Sequence, residues 1–147
     1  MRKIDKQNTQ SRDDMNILFI CKFNRFRSKI AEEFFRGLNT NKTYHVKSAG
    51  LIRGSPISKH IQLAAKEFGL HIHSKPTGLS TQLLQWQDLA IIIGDDVPPM
   101  ILSDSAKYGK KVLIWHIADT TSTNRMKIKR IIVRIEFKVK QLIRRLQ

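Results

Sequence analysis

One cysteine in this sequence is followed by residues that could bind and attack a phosphate group. Cys21 is the only cysteine, and it precedes Arg27 and Ser28 in the stretch ILFICKFNRFRSKIAEE. A thiolate is a strong nucleophile, and nearby cations or a helix N-terminus favour the thiolate form of a cysteine. The planar fork of an arginine matches two oxygens of a phosphate. The three residues therefore predict nucleophilic chemistry on a phosphate, although a lone cysteine is more commonly a buried structural residue.

The segments around this cysteine predict a strand, a loop and a helix that would bring the three side chains together. Ile17–Ile20 is an apolar run rich in β-forming residues, which is typical of a strand buried on both faces of a parallel sheet. In Ser28–Leu38 the apolar residues recur at helical spacing. The loop Cys21–Arg27 would then lie at a helix N-terminus, where unpaired N–H groups and the helix dipole attract anions.

The rest of the chain predicts further strands and helices in alternation. Strands are predicted at Tyr44–Ser48, Leu89–Ile93 and Val112–Trp115. Helices are predicted at Pro56–Phe68 with Ser55 as N-cap, at Leu79–Trp86, and at 125–147 with one continuous apolar stripe. The alternation predicts a three-layer α/β fold, in which a four-stranded parallel sheet has helices on both faces and the phosphate-binding loop follows the first strand.

The segment Cys21–Ser28, with Ala31 and Glu32 after it, resembles the phosphate-binding loop of the low-molecular-weight protein tyrosine phosphatase family. The resemblance extends from Asn16 to the C-terminus, and the thioredoxin-coupled arsenate reductases have the same fold. It implies a phosphomonoesterase that acts through a phosphocysteine intermediate. An arsenate reductase that uses an external thiol is the alternative among enzymes of this fold.

The resemblance implies a role for each residue of the loop. Cys21 would attack phosphorus, Arg27 would hold the phosphate oxygens, and Asp119 would be the general acid. The phosphate would be bound by Lys22, Phe23, Asn24, Arg25, Phe26, Arg27 and Ser28. Hydrogen bonds that support the loop would come from Asn24, Ser28 and Ser48.

Four positions depart from the family pattern. Phe23 stands where a glycine is usual, Phe26 where a second cysteine is frequent, and Thr120 where a proline follows the acid. Lys75 stands where many relatives have a histidine that supports the loop. We expect the missing proline to loosen the loop around Asp119 without changing its role.

Three other aspartates compete with Asp119 for the role of general acid. Asp95 and Asp96 follow the third predicted strand at the carboxyl edge of the sheet, whereas Asp88 opens that strand at the opposite edge. We interpret Asp95 and Asp96 as solvated turn residues, which is the more common state of adjacent carboxylates after a strand. Adjacent residues in an exposed turn can also place at most one carboxylate inward, and the relatives use neither position for the acid. Asp119 follows the fourth strand at the carboxyl edge and matches the family position of the acid.

Length and composition predict one domain. The chain has 147 residues, of which 41% are hydrophobic, and we place a single phosphatase-like domain at residues 15–147 behind a mobile polar tail at 1–14. No segment reaches about eighteen apolar residues, and the single cysteine excludes an internal disulfide, so we expect a cytoplasmic protein. We expect no cofactor, and no metal ion, because His71 and His73 lack companions at ligand spacing.

The chain is strongly basic, with a formal net charge of +15. The last predicted helix contains nine Lys or Arg and one Glu, and such a face could bind nucleic acid or an anionic membrane, or be solvated. Because no nucleic-acid motif accompanies it, we expect the partner to be a phosphorylated protein or a small aryl phosphate, and the protein to be a monomer or weak dimer. A catalytically weak oxyanion- or nucleic-acid-binding protein of the same fold is the alternative outside enzymes.

The segments that would form the walls of the pocket contain few aromatic residues. Relatives that prefer phosphotyrosine have aromatic side chains in the pocket wall, after the second strand and after the acid. Here those segments are Leu51–Gly54 and Thr120–Asn124, which contain none. We therefore expect poor selectivity for phosphotyrosine peptides, unless Phe23 or Phe26 provides a substitute wall.

Overall fold

A sheet of four parallel strands runs through the centre of the domain. The computed structural model describes residues 14–72, 75–103 and 110–147. Its strands are β1 (Met15–Cys21), β2 (Tyr44–Gly50), β3 (Leu89–Ile93) and β4 (Lys111–Trp115). The order across the sheet is β2-β1-β3-β4, and every neighbouring pair is parallel. The predicted sheet is confirmed, and β1 lies in its interior.

The helices lie on both faces of this sheet, as predicted. They are α1 (Arg27–Leu38), α2 (Lys59–Lys66), α3 (Thr81–Trp86) and α4 (Arg125–Leu146), with a short 3₁₀ helix at Pro99–Leu102. Helices α1, α2 and α4 share one apolar cluster, in which α1 and α2 both contact α4. Side chains of α3 and of the 3₁₀ helix pack in a second cluster on the opposite face. No helix in the described ranges is long and apolar enough to cross a membrane.

The side chains of β1 are shared between the two clusters, because successive residues of a strand point to opposite faces. Ile17 and Phe19 belong to the first cluster, and Leu18 and Ile20 belong to the second. All four side chains are fully buried, and this explains why the segment is continuously apolar. Cys21 ends the strand on the first face and is also buried.

Two predictions concern residues that the structure does not describe. The polar tail was predicted at 1–14, and only Asp14 of this segment lies within the described residues. His73, one of the two histidines considered as metal ligands, also lies outside them. Both statements stay predictions.

The start of α2 differs from the prediction. The helix begins at Lys59, where Ser58 is the N-cap and accepts a hydrogen bond from the backbone N of Ile61 at 3.3 Å. The predicted start at Pro56 with Ser55 as N-cap is therefore wrong. Two serines in this segment could cap a helix, and the structure uses the second of them.

We predict that Phe19→Ala destabilises the domain far more than Phe137→Ala does. Phe19 is fully buried, and its ring centroid lies 6.2 Å from that of Phe35 and 5.6 Å from that of Trp115. Truncation should lower the free energy of unfolding by about 3–5 kcal/mol. Phe137 is 56% exposed, so its truncation should cost no more than about 0.5 kcal/mol. Urea denaturation followed by circular dichroism measures both, and equal losses would contradict this packing.

Candidate active site

The loop after β1 is fixed to the segment after β2 by three backbone hydrogen bonds. N–H groups of that segment donate to loop carbonyls, from Leu51 to Cys21 at 2.9 Å, from Ile52 to Lys22 at 2.9 Å and from Gly54 to Phe23 at 3.1 Å. The N–H and C=O of one peptide unit point in opposite directions, so the N–H groups that follow these carbonyls face into the loop.

The N–H groups of this loop are left free for an anion. Between residues 22 and 28, no backbone N–H donates a hydrogen bond to any residue that the structure describes. Phe26 is the N-cap of α1, and its side chain makes no capping hydrogen bond. The free donors of the loop and the positive end of the helix dipole thus act at the same place, which is a physical requirement of a phosphate site.

The loop is held in shape by the buried side chain of Asn24. Its backbone has φ +54°, a left-handed conformation that asparagine tolerates better than most residues. Its Nδ2 donates to Oγ of Ser28 at 2.7 Å and to Oγ of Ser48 at 3.0 Å, and its Oδ1 accepts from the backbone N of Thr77 at 2.8 Å. The structure therefore brings together Asn24, Ser28 and Ser48, the three residues predicted to support the loop.

Glu32 extends this network, and sequence reasoning assigned it no role in the site. The hydroxyl of Ser48 donates to Oε1 of Glu32 at 2.5 Å, and Arg36 pairs with the other carboxylate oxygen at 2.5 Å. Lys75, which stands where a histidine was expected, is exposed, and the nearby backbone of Thr77 contacts Asn24. The sequence signals for Glu32 were its place in the helix that follows the loop and its part in the segment that resembles the family.

The thiol of Cys21 lies beside the hydroxyl of Ser28. Their Sγ and Oγ atoms are 2.9 Å apart, and both side chains are buried. A hydroxyl at this distance can donate a hydrogen bond to a thiolate and so stabilise negative charge on sulfur. The serine is itself oriented by Asn24, so that the loop network reaches the sulfur atom.

Arg27 is buried below the loop and makes contacts with the turns after β3 and β4. Only 1% of its side chain is exposed. Its Nη1 and Nη2 donate to the two carboxylate oxygens of Asp96 at 3.1 and 2.9 Å, and Nη1 also donates to the carbonyl of Ile117 at 3.0 Å. Its Nε is buried and has no hydrogen-bond partner among the described residues. One edge of the guanidinium is thus occupied by Asp96, and the Nε edge remains free.

The ion pair shifts the pKa of both partners away from their ordinary values. Burial acts to raise the pKa of Asp96, but the hydrogen bond and the charge of Arg27 outweigh it, and the pKa of Asp96 is lowered. Burial acts to lower the pKa of Arg27, but the hydrogen bond that it donates to Asp96 and the negative charges of Cys21, Asp119 and Asp96 outweigh this effect and raise the pKa. The pair is therefore charged on both sides at neutral pH.

Asp96 was interpreted from the sequence as a solvated turn residue, and this interpretation is correct only in part, because its side chain is 35% exposed but both carboxylate oxygens bind Arg27. Its neighbour Asp95 does face solvent, with 77% of its side chain exposed. Gly94 leaves room for this pair, since it adopts φ +112° and a Cβ there would collide with Nη1 of Arg27 and Oδ1 of Asp96. The available signal was the need of a buried arginine for a counter-charge.

A small pocket opens above the loop, and the predicted catalytic side chains line it. The loop contributes Cys21, Phe23, Arg25, Phe26 and Arg27, and the opposite wall consists of Ile61, Asp119, Thr120 and Thr121. The carboxylate of Asp119 lies 3.6 Å from Nη2 of Arg27 and accepts a hydrogen bond from the backbone N of Thr120 at 2.8 Å. A thiol, a guanidinium and a partly exposed carboxylate therefore converge on one space.

Comparison with known proteins agrees with this geometry. The sequence model of the family described as low molecular weight phosphotyrosine protein phosphatase matches residues 16–147. No curated protein sequence is similar enough to count as a match.

Solved structures with the same fold include phosphatases and an arsenate reductase. The YwlE arginine phosphatase from Geobacillus stearothermophilus is 21% identical with a TM-score of 0.78, over 90% of this chain and 93% of that chain. A low molecular weight protein tyrosine phosphatase from T. tengcongensis is 23% identical with a TM-score of 0.76, over 90% and 99%. An arsenate reductase from Archaeoglobus fulgidus is 25% identical with a TM-score of 0.67, over 86% and 98%.

We predict that Asp96→Asn lowers the free energy of unfolding by about 1–3 kcal/mol at pH 7. Removal of a partner from a buried ion pair typically costs more, but the side chain of Asp96 is 35% exposed, and solvent screens the interaction. Because the pKa of Asp96 is lowered in the folded state, its contribution is complete above the unfolded value of about 3.9 and is lost as the pH falls through the folded pKa.

The measurement is urea denaturation of wild type and variant between pH 7 and pH 2.5. The difference in free energy should narrow below about pH 4. Asp95→Asn is the matched control, since Asp95 pairs with His116 at the surface, and it should stay within about 0.5 kcal/mol of wild type. A difference that grows as the pH falls would contradict the assignment.

Proposed function

The chain belongs to the low molecular weight phosphotyrosine protein phosphatase family, and on that premise we propose that it hydrolyses phosphate monoesters through a phosphocysteine intermediate. The observation that carries the proposal is the convergence of Cys21, Arg27 and Asp119 on one pocket. The free N–H groups between residues 22 and 28 support it, because a phosphate dianion needs several donors in a confined space.

In the first step Cys21 attacks the phosphorus atom of the ester. The S–P bond forms as the P–O bond to the leaving group breaks, and Asp119, in its protonated form, gives its proton to the departing oxygen. The loop N–H groups hold the phosphoryl oxygens and stabilise the charge that they carry in the transition state.

In the second step water replaces the sulfur atom. Asp119, now a carboxylate, accepts a proton from the attacking water, and the thiolate of Cys21 leaves. The hydroxyl of Ser28, at 2.9 Å from Sγ, stabilises the leaving thiolate with a hydrogen bond. Inorganic phosphate is released, and the site returns to its starting state.

Arg27 holds the phosphate with the edge that Asp96 leaves free. Its Nε has no partner among the described residues, and Nη2 carries a second hydrogen besides the one donated to Asp96. These two donors point along one edge of the planar group, and such an edge matches two oxygens of a phosphate. The ion pair with Asp96 fixes the plane of the guanidinium, so that little is lost in ordering it when substrate binds.

The single cysteine favours phosphate hydrolysis over a disulfide-linked reduction. A disulfide relay passes oxidation between several thiols, and this chain has no thiol besides Cys21. Arsenate reduction would therefore require an external thiol at the pocket. Hydrolysis of a phosphate ester needs no second thiol, because water is the second nucleophile.

We predict that Cys21→Ser abolishes hydrolysis of 4-nitrophenyl phosphate while binding of inorganic phosphate remains measurable. The nucleophile is lost, whereas the loop N–H groups and Arg27 still bind the anion. Release of nitrophenolate measures hydrolysis, and isothermal calorimetry with phosphate measures binding. Arg27→Lys should weaken both, because an ammonium group cannot replace the fork of donors. Undiminished turnover by Cys21→Ser would exclude the covalent mechanism.

We predict that Asp119→Asn slows the enzyme most on substrates with poor leaving groups. The loss in kcat should reach about 10² or more for phenyl phosphate. It should be much smaller for 2,4-dinitrophenyl phosphate, whose leaving group needs no proton. Asp95→Asn is the matched control and should leave both rates unchanged, because Asp95 contacts His116 at the surface and does not line the pocket. Equal losses on the two substrates would remove Asp119 from the role of general acid.

A further inference from the structure

The side chain of Arg25 lies in the wall of the pocket, and the mechanism above does not use it. Arg25 lines the same space as Cys21 and Asp119. Its Nη2 donates to the carbonyl of Pro56 at 3.4 Å, close to the upper limit for a hydrogen bond, and its buried Nε has no partner among the described residues. Most of the donors of this guanidinium are thus unused.

The side chain is nevertheless held in a defined place. The segment after β2 passes so close to it that a Cβ on Gly54 would lie 2.7 Å from both Cγ and Cδ of Arg25. The backbone N of Gly54 also donates to the carbonyl of Phe23 in the loop, at 3.1 Å. Since Gly54 leaves room for the stem of Arg25, the guanidinium rests against this segment at the pocket wall and part of its ordering is complete before substrate binds.

The positive charge of Arg25 is also uncompensated, in contrast to that of Arg27. Arg27 has the carboxylates of Asp96 at 2.9 Å and Asp119 at 3.6 Å. Arg25 has no carboxylate within ion-pair distance in the described ranges, whereas the charge of the neighbouring cation, Lys22, helps to lower the pKa of Asp96. The wall of the pocket therefore offers an unpaired charge beside the place where the phosphate binds.

We propose that Arg25 is a specificity-determining residue that selects phosphate monoesters carrying a second anionic group, a carboxylate or a phosphate, close to the ester. The inference rests on the proposed phosphatase activity. The loop N–H groups and Arg27 bind the phosphoryl group that is transferred, and Arg25 binds the second anion of the part that leaves. A charge-assisted hydrogen bond from a fork that is already positioned raises the affinity for such a substrate over its uncharged analogue.

The test compares two substrates that differ by one carboxylate, phenyl phosphate and 3-carboxyphenyl phosphate. Wild type should show a kcat/KM about tenfold or more higher for the carboxylated ester, since a charge-assisted hydrogen bond is of that strength. The preference should decline as the salt concentration rises, because the pocket wall is open to solvent. Arg25→Gln should reduce the ratio of the two kcat/KM values to about one, and Arg25→Lys should retain part of it as a point charge.

Arg53→Gln is the matched control. It removes the same charge from the neighbouring segment, but Arg53 is exposed and does not line the pocket. The ratio should stay at its wild-type value in this variant. If Arg53→Gln lowered the ratio as much as Arg25→Gln, the preference would come from the general positive field, and the proposal for Arg25 would be overturned.

The failures of the two proposals can be told apart. If wild type hydrolyses both substrates in a reaction that depends on Cys21, but with a ratio of the two kcat/KM values near one, the role of Arg25 is overturned. The phosphatase activity would then still stand. Absence of turnover on both substrates in wild type would overturn the phosphatase activity and this inference with it. If Arg25→Gln lost its fold, as circular dichroism would show, the wild-type ratio, its salt dependence and Arg25→Lys would still decide.

Discussion

The buried charge of Arg27 is the constraint on which the rest of the site depends. A guanidinium with 1% exposure is stable only when it is paired and hydrogen-bonded. Asp96 and the carbonyl of Ile117 meet this need from the turns after β3 and β4. The loop after β1 must therefore meet the turns after β3 and β4 at one place. Residue 94 has to be glycine, because a side chain there would collide with Arg27. The site is a consequence of the sheet order, because only neighbouring strands deliver these groups to one point.

A second constraint is the loop itself, whose N–H groups face inward and have no partners among the described residues. Such a backbone is unfavourable unless other bonds compensate. Here the outward-facing carbonyls bind the segment after β2, and the side chain of Asn24 bonds with Ser28, Ser48 and the backbone of Thr77. The loop is preorganised by contacts on its outer side, and its inner side is left free for the anion. This division is what electrostatic catalysis requires, since donors that are already oriented need no rearrangement during the reaction.

The features that the sequence predicted best are those with a strong local signal. β1, α1, β3, β4 and α4 each have a clear periodicity or a continuous apolar run, and the structure agrees with them to within about two residues, the ordinary scatter of element ends. The misses have different origins. The start of α2 was placed too early because two serines in the segment can each act as N-cap and the local pattern does not distinguish them. The pairing of Asp96 depends on an arginine that lies 69 residues earlier in the chain. That contact is not visible in a local pattern, although a buried charge always implies a partner somewhere.

The long sequence distances within the site have a consequence for the order of folding. Arg27 finds its partners 69 and 90 residues further along the chain, and β1 lies between strands that are made after it. During synthesis the loop segment leaves the ribosome early, but the groups that neutralise its arginine arrive only after β3 and the residues beyond β4 have emerged. Closure of such distant contacts is slow compared with the formation of a helix. A fragment that ended before Asp96 would therefore leave the guanidinium of Arg27 without these partners, and the ion pair forms only when most of the chain has been made.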